Sequence, residues 1–135
     1  MNSRNNKTVL NLIAERLSAE DDVLVAVAFG SLVTDSVRVD SDLDIAILTR
    51  PPLDSRRRME LIRILSKITG RAVDLVDMRT AGVVLMRSIL GHGKRMVCKD
   101  RRAYDNLVSR MLGGVADFLP YRQRLLRERR KAWIH

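Results

Sequence analysis

Seven consecutive apolar residues, Val23-Leu24-Val25-Ala26-Val27-Ala28-Phe29, constrain this chain more than any other stretch. Alternate residues of a strand face opposite sides of its sheet. A run that is apolar at both parities therefore has to be buried on both faces, and its β-branched content favours a strand over a short helix. Asp21-Asp22 bound it on one side and Gly30 on the other. Leu43 to Thr49 repeats the pattern beyond Asp44, and Pro51-Pro52 stops it. Two strands of this kind demand a sheet with helices packed over it.

The rest of the chain supplies those helices. Val9, Leu10, Ile13 and Leu17 form one stripe between Asn5 and about Ala19. A short turn or helix is expected from Ser31. Asp54 can cap a helix running to Thr69, with Met59, Ile62, Leu65 and Ile68 facing inward and Gly70 ending it. Ala72 to Met78 reads as a third strand. Thr80 begins another helix, with Val83, Met86, Ile89 and Leu90 inward, which Gly91-His92-Gly93 breaks. Arg95 to Lys99 is a short strand. From about Asp100 a long helical pattern runs through Tyr104, Leu107, Val108, Met111, Leu112, Val115, Phe118 and Leu119 to Pro120, and helical spacing resumes at Leu125 and Leu126. The expected fold class is α/β, a small mixed sheet of about four strands covered by helices, with a long C-terminal helix. At 135 residues, one domain is the default, with a core over about 5–99 and a helical extension over about 100–135.

The chemistry concentrates where the two apolar strands approach each other. Asp42 and Asp44 sit at i and i+2, so they project from one face, roughly 7 Å apart at their Cα atoms. Two carboxylates at the mouth of an apolar sheet repel each other, and a hard divalent cation relieves that repulsion. Gly30 has no Cβ, so backbone can approach a ligand there, and Ser31 follows at the start of a helical turn whose free N–H groups bind anions. A third acid lies in the apolar segment Ala72-Val73-Asp74-Leu75-Val76-Asp77-Met78. Asp74 and Asp77 have opposite parity, so only one can face the other carboxylates. Asp74 is chosen because it sits deeper in the apolar run, and Asp77 is expected to cap the turn before Arg79. Asp35 and Asp40 read as loop acids and His92 as a loop residue. No Ser-His-Asp triad, zinc-ligand spacing or P-loop is present.

These residues carry a resemblance. Gly30-Ser31, then ten residues, then Asp42-x-Asp44, resembles the signature of the polymerase-beta-type nucleotidyltransferase superfamily. The small size and the Val73-Asp74-Leu75-Val76-Asp77 segment are similar to its minimal nucleotidyltransferase (MNT) branch, and more narrowly to MNT antitoxins paired with HEPN ribonuclease toxins. The close match covers roughly 24–98. The resemblance implies that Gly30 and Ser31 hold the triphosphate of ATP. It implies that Asp42, Asp44 and Asp74 bind two Mg²⁺ ions, Asp74 completing the one that activates the acceptor. It implies transfer of AMP to a tyrosine of a cognate HEPN toxin, and hence a hetero-oligomer. One departure stands out: many relatives carry an arginine and a small residue after Gly-Ser, where this chain has Leu32 and Val33, with Arg38 as a substitute arginine.

Composition bounds the alternatives. Cys98 is the only cysteine, which excludes an internal disulfide and fits a reducing cytoplasm. No apolar run approaches the roughly 20 residues of a membrane span, so a membrane partner is not expected. The net charge is +9, and six Arg and Lys against Glu128 alone place +5 of it in residues 121–135. That segment suits an acidic protein surface, RNA or substrate phosphates, or is a solvated helix end. Nucleic acid is the less favoured partner, because aromatics make up only 4%. Two other functions stay open: a nucleotidyltransferase for small molecules of the aminoglycoside kind, and a module that neutralises its partner by contact alone.

Overall fold

A computed structural model of the chain describes residues 2–30 and 42–113. Four strands, β1 (Val23–Phe29), β2 (Leu43–Thr49), β3 (Val73–Asp77) and β4 (Lys94–Cys98), form one mixed sheet in the order β3-β2-β1-β4. β1 runs antiparallel to both β2 and β4, and β2 runs parallel to β3. The two strands apolar at both parities take the two central places, where both faces are covered. Apart from Asp44 near the start of β2, the strand charges lie on the outer strands, Asp74 and Asp77 on β3 and Lys94 and Arg95 on β4.

Helices α1 (Asn2–Ser18) and α2 (Ser55–Thr69) cover one face, and α3 (Val83–His92) and α4 (Arg101–Leu112) cover the other. On the first face Leu10, Ile13 and Leu17 of α1 and Leu61 and Leu65 of α2 pack on Leu43, Ile45, Ile47 and Leu75. On the second, Met86, Ile89 and Leu90 of α3 and Tyr104, Leu107, Val108 and Leu112 of α4 pack on Val25, Val27, Phe29, Ala46 and Leu48. Each such side chain contributes about 1.5–3 kcal/mol on burial. α4 packs over this second face as part of the buried core. The C-terminal helix beyond Leu112, the turn or helix from Ser31, and the loop acids Asp35 and Asp40 lie outside the described residues.

The helix ends follow their capping residues. The Asp54 carboxylate accepts from the Arg57 backbone N–H at 2.7 Å, and Gly70, at φ 69°, closes α2 by donating to the Ser66 carbonyl. Asp100 caps α4 by accepting from the Ala103 N–H at 3.0 Å. The expected inward faces need correction. Met59 is 54% and Ile68 36% exposed, and Leu61 takes the buried position instead. The chosen positions 59, 62, 65 and 68 advance by three each time, which rotates the stripe by about 60° per step; the buried pair Leu61 and Leu65 follows the i+4 row. Val83 is also 56% exposed: it is the first residue of α3, and the first buried position of that helix is Met86.

One arginine ties the first layer together. Arg57 donates from Nε and Nη2 to both carboxylate oxygens of Asp22, at 2.9 and 2.8 Å, and also reaches Glu20 at 3.3 Å and Glu60 at 2.8 Å. The two-pronged bond fastens α2 to the turn between α1 and β1. It holds the Asp22 carboxyl below its ordinary 3.8. Arg57→Ala is expected to lower stability by about 1–2 kcal/mol, with Arg57→Lys between variant and wild type. Asp22 ionises at lower pH in the folded protein than in the unfolded chain. The difference between wild type and Arg57→Ala is therefore full above pH 3.8 and disappears as pH falls through the folded value, a trend that urea titrations across pH would reveal.

Candidate functional site

Three strand ends converge at one end of the sheet. Phe29, the last residue of β1, is the register partner of Asp44, so Gly30 leaves the sheet beside the start of β2. The Leu43 N–H donates to the Ala72 carbonyl at 2.9 Å, bringing the starts of β2 and β3 abreast. In that parallel pair Asp44 is the register partner of Asp74. Partners in adjacent strands lie about 4.8 Å apart and share a face. Asp44 and Asp74 therefore project together on the face covered by α3 and α4, and the i, i+2 spacing puts Asp42 on the same side.

Burial distinguishes the three. Asp42 and Asp74 are exposed, whereas Asp44 is half-buried. Burial pushes the Asp44 carboxyl up from its ordinary 3.8, and the negative charges of Asp74 and then Asp42 push it in the same direction. Asp74 and Asp42 are thus both near enough to act electrostatically on Asp44. Among the described residues, no three His, Cys, Asp or Glu side chains form a closed metal-binding cluster by themselves. A hard cation of the Mg²⁺ type takes only one or two carboxylates together with substrate phosphates, and an all-oxygen donor set under mutual repulsion suits it.

Gly30 has a more specific reason to be glycine than a general backbone approach to a ligand. Its φ is 70°, a region that L side chains rarely adopt, and a Cβ built on it would stand 2.4 Å from Oδ2 of Asp44. The missing side chain leaves the space in which the Asp44 carboxylate sits. Ser31, expected beside it, lies outside the described residues, as do Leu32, Val33 and Arg38.

The other acid of β3 behaves differently. Asp77 is buried, accepts from the Arg79 N–H at 2.9 Å, and its carbonyl accepts from Thr80 and Ala81. That is the turn cap expected of it. Depth in the apolar run favours Asp74 for burial, but the geometry is the reverse: Asp77 is the buried acid and Asp74 the exposed one. Parity, not depth, puts Asp74 beside Asp44. His92 ends α3 in an exposed position.

Residues 11–102 match the family model described as polymerase beta nucleotidyltransferase. Protein adenylyltransferase MntA of Shewanella oneidensis is 38% identical over 68 residues, 50% of this chain and 49% of that protein, so the match spans about half the relative's length. Among solved structures, a toxin–antitoxin crystal structure with AMP-PNP superposes with a TM-score of 0.66 at 24% identity, covering 87% of this chain and 96% of that one. A complex of tri-AMPylated HEPN toxin and MNT antitoxin from Shewanella oneidensis superposes with a TM-score of 0.60 at 23% identity, covering 95% and 98%. At these identities the structures establish a shared fold. No helix among the described residues is long and apolar enough to cross a membrane.

The geometry yields two expected outcomes. Asp44 binds its proton more tightly in the folded protein than in the unfolded chain, so its ionisation opposes folding. Its favourable effect is full below pH 3.8 and is lost as pH rises through the folded value. Asp44→Asn removes that loss and should raise the melting temperature in EDTA at neutral pH; calorimetry showing an unchanged or lower Tm would contradict the electrostatic reading. Gly30→Ala should cost about 1–2 kcal/mol from its backbone conformation alone, measured by chemical denaturation, and should displace the Asp44 carboxylate as well.

Proposed function

Because the chain belongs to the polymerase beta nucleotidyltransferase family, we propose that it transfers AMP from ATP to a tyrosine hydroxyl of a HEPN-type partner protein and so acts as an antitoxin. In this reading Asp42, Asp44 and Asp74 are the metal-binding carboxylates, and Gly30 and Ser31 hold the triphosphate. The observation that carries it is the register pairing of Asp44 with Asp74 beside the positive-φ Gly30, which gathers like charges at the end of an apolar sheet. Support for the acceptor comes from the relatives: MntA is named a protein adenylyltransferase, and the HEPN toxin of the superposed complex is named as tri-AMPylated.

Transfer of a nucleotidyl group needs alignment and charge neutralisation more than a nucleophilic side chain. The acceptor oxygen attacks the α-phosphorus, the bond to the β-phosphate breaks and pyrophosphate leaves. The hydroxyl proton passes to an exposed carboxylate, for which Asp74 is the candidate. Two Mg²⁺ ions, when bound by the three carboxylates, would neutralise the phosphates and acidify the acceptor hydroxyl. Asp44 is the group for which neighbouring positive charge matters most, since its ionised form is the one that burial and two like charges disfavour. Gly30 keeps that carboxylate in position by leaving its space open.

The test is transfer of label from α-³²P-ATP in the presence of Mg²⁺ and a HEPN protein encoded beside this chain. Label is expected on the HEPN protein, with EDTA abolishing it. Asp44→Asn and Asp42→Asn should reduce transfer by at least about a hundredfold, and Asp77→Asn by far less. Wild-type turnover in Asp44→Asn would end the metal-carboxylate reading. Label on an aminoglycoside, or neutralisation of the HEPN protein without label, would redirect the function to small molecules or to contact alone.

A further inference from the structure

A cationic cavity lies at the opposite end of the sheet. There the described residues enclose a cavity of about 260 Å³ between the sheet and α4. Leu24 of β1, Leu48 of β2 and Leu107 of α4 give it an apolar floor, and its rim is cationic. Arg50 follows β2, Arg79 follows β3, and Arg102 and Arg110 project from one face of α4 with Asn106 between them at i+4 spacing. Asp100 is the one acid among the lining residues, and it is already engaged, accepting from the Ala103 N–H at 3.0 Å and from Arg50 at 3.2 Å. Arg79 is fixed by donating from Nε and Nη2 to the Thr49 carbonyl, at 3.2 and 2.7 Å, which offsets none of its charge. Arg102 and Arg110 are exposed and form no ion pair among the described residues. Four arginines against one aspartate leave the lining at +3.

We propose that this cavity binds a small polyphosphate anion, either free or as the phosphate tail of a nucleotide. The planar guanidinium fork matches phosphate oxygens two at a time, and arginines arriving from three separate elements call for a ligand with several such oxygens. Walls of one sign around a concave surface concentrate the field on a small anion. The volume suits one nucleotide-sized ligand, whereas an acidic helix, about 10–12 Å across, overfills it. Among the described residues no aromatic ring lines it to stack the bases of an RNA strand. Asp44 and Arg50 are six residues apart along β2, about 20 Å, so the site is separate from the acidic mouth.

Calorimetric titration of tripolyphosphate and of ATP in EDTA tests this on the whole chain. Without a divalent cation the three carboxylates at the other end repel anions, so heat reports on the arginine cavity. One-to-one binding is expected, weakening as salt rises. It should fall at least tenfold in Arg102→Gln/Arg110→Gln, whose melting temperature should match wild type because both side chains are exposed. ATP and tripolyphosphate binding equally would assign the affinity to the phosphates alone. Tighter binding of ATP would put its base on the leucine floor, and either result supports the proposal. Asp44→Asn should leave the titration unchanged. No binding in EDTA, equal binding by the double variant, loss of binding in Asp44→Asn, or binding of polyglutamate or an oligonucleotide but not tripolyphosphate would overturn it.

Discussion

The burial of β1 and β2 on both faces is the constraint from which the rest follows. A central strand apolar at both parities has no room for charge along its length, so charge collects where the strands begin and end. At one end this gathers Asp42, Asp44 and Asp74. At the other it gathers arginines that follow β2 and β3 and project from α4. The length of the sheet therefore separates a cluster of carboxylates from a cavity lined by arginines. Both ends are built from backbone positions that the core fixes rigidly, which is the condition for a preorganised site.

Asp44 shows what such a position entails. It is held between Gly30 and Asp74, half out of water, beside two charges of its own sign. None of these neighbours favours its ionised form, and the fold tolerates the conflict because the hydrophobic layers on either side outweigh it. Local conflict maintained by a well-packed scaffold is the ordinary mark of a functional position. The Arg57–Asp22 bond is the contrasting case, since each partner there favours the charge of the other.

Local pattern made much of this legible. The bounds of β1 and β2 could be read to the residue, because runs apolar at both parities end abruptly at Asp22, Gly30, Asp42 and Arg50. The limits of α2 were equally plain from Asp54 and Gly70. Strand parity set Asp74 and Asp77 on opposite faces, but which of them meets Asp44 depends on the register of β2 with β3, which no local pattern carries. What escaped depends on distance in sequence. Arg57 meets Asp22 across 35 residues, and of the four arginines of the cavity only Arg102 and Arg110 share an element, with Arg50 and Arg79 brought to them by the sheet. Met59, Ile68 and Val83 were misassigned because apolar spacing locates a stripe without fixing its width, and the rim of a small sheet leaves part of it uncovered. Ser31 and the basic C-terminal segment lie beyond the described residues.

The arginine after Arg57 has a consequence for association. Even-numbered residues of β3 turn their backbone groups toward β2, as the Leu43 N–H to Ala72 and Met78 N–H to Ile47 bonds require, so Val73, Leu75 and Asp77 turn theirs outward. The Leu75 carbonyl accepts from the Arg58 guanidinium, and the Asp77 carbonyl is taken by the following turn. A bare strand margin would template a further strand from another molecule. With two of its three outward carbonyls already committed, this margin discourages β-augmentation.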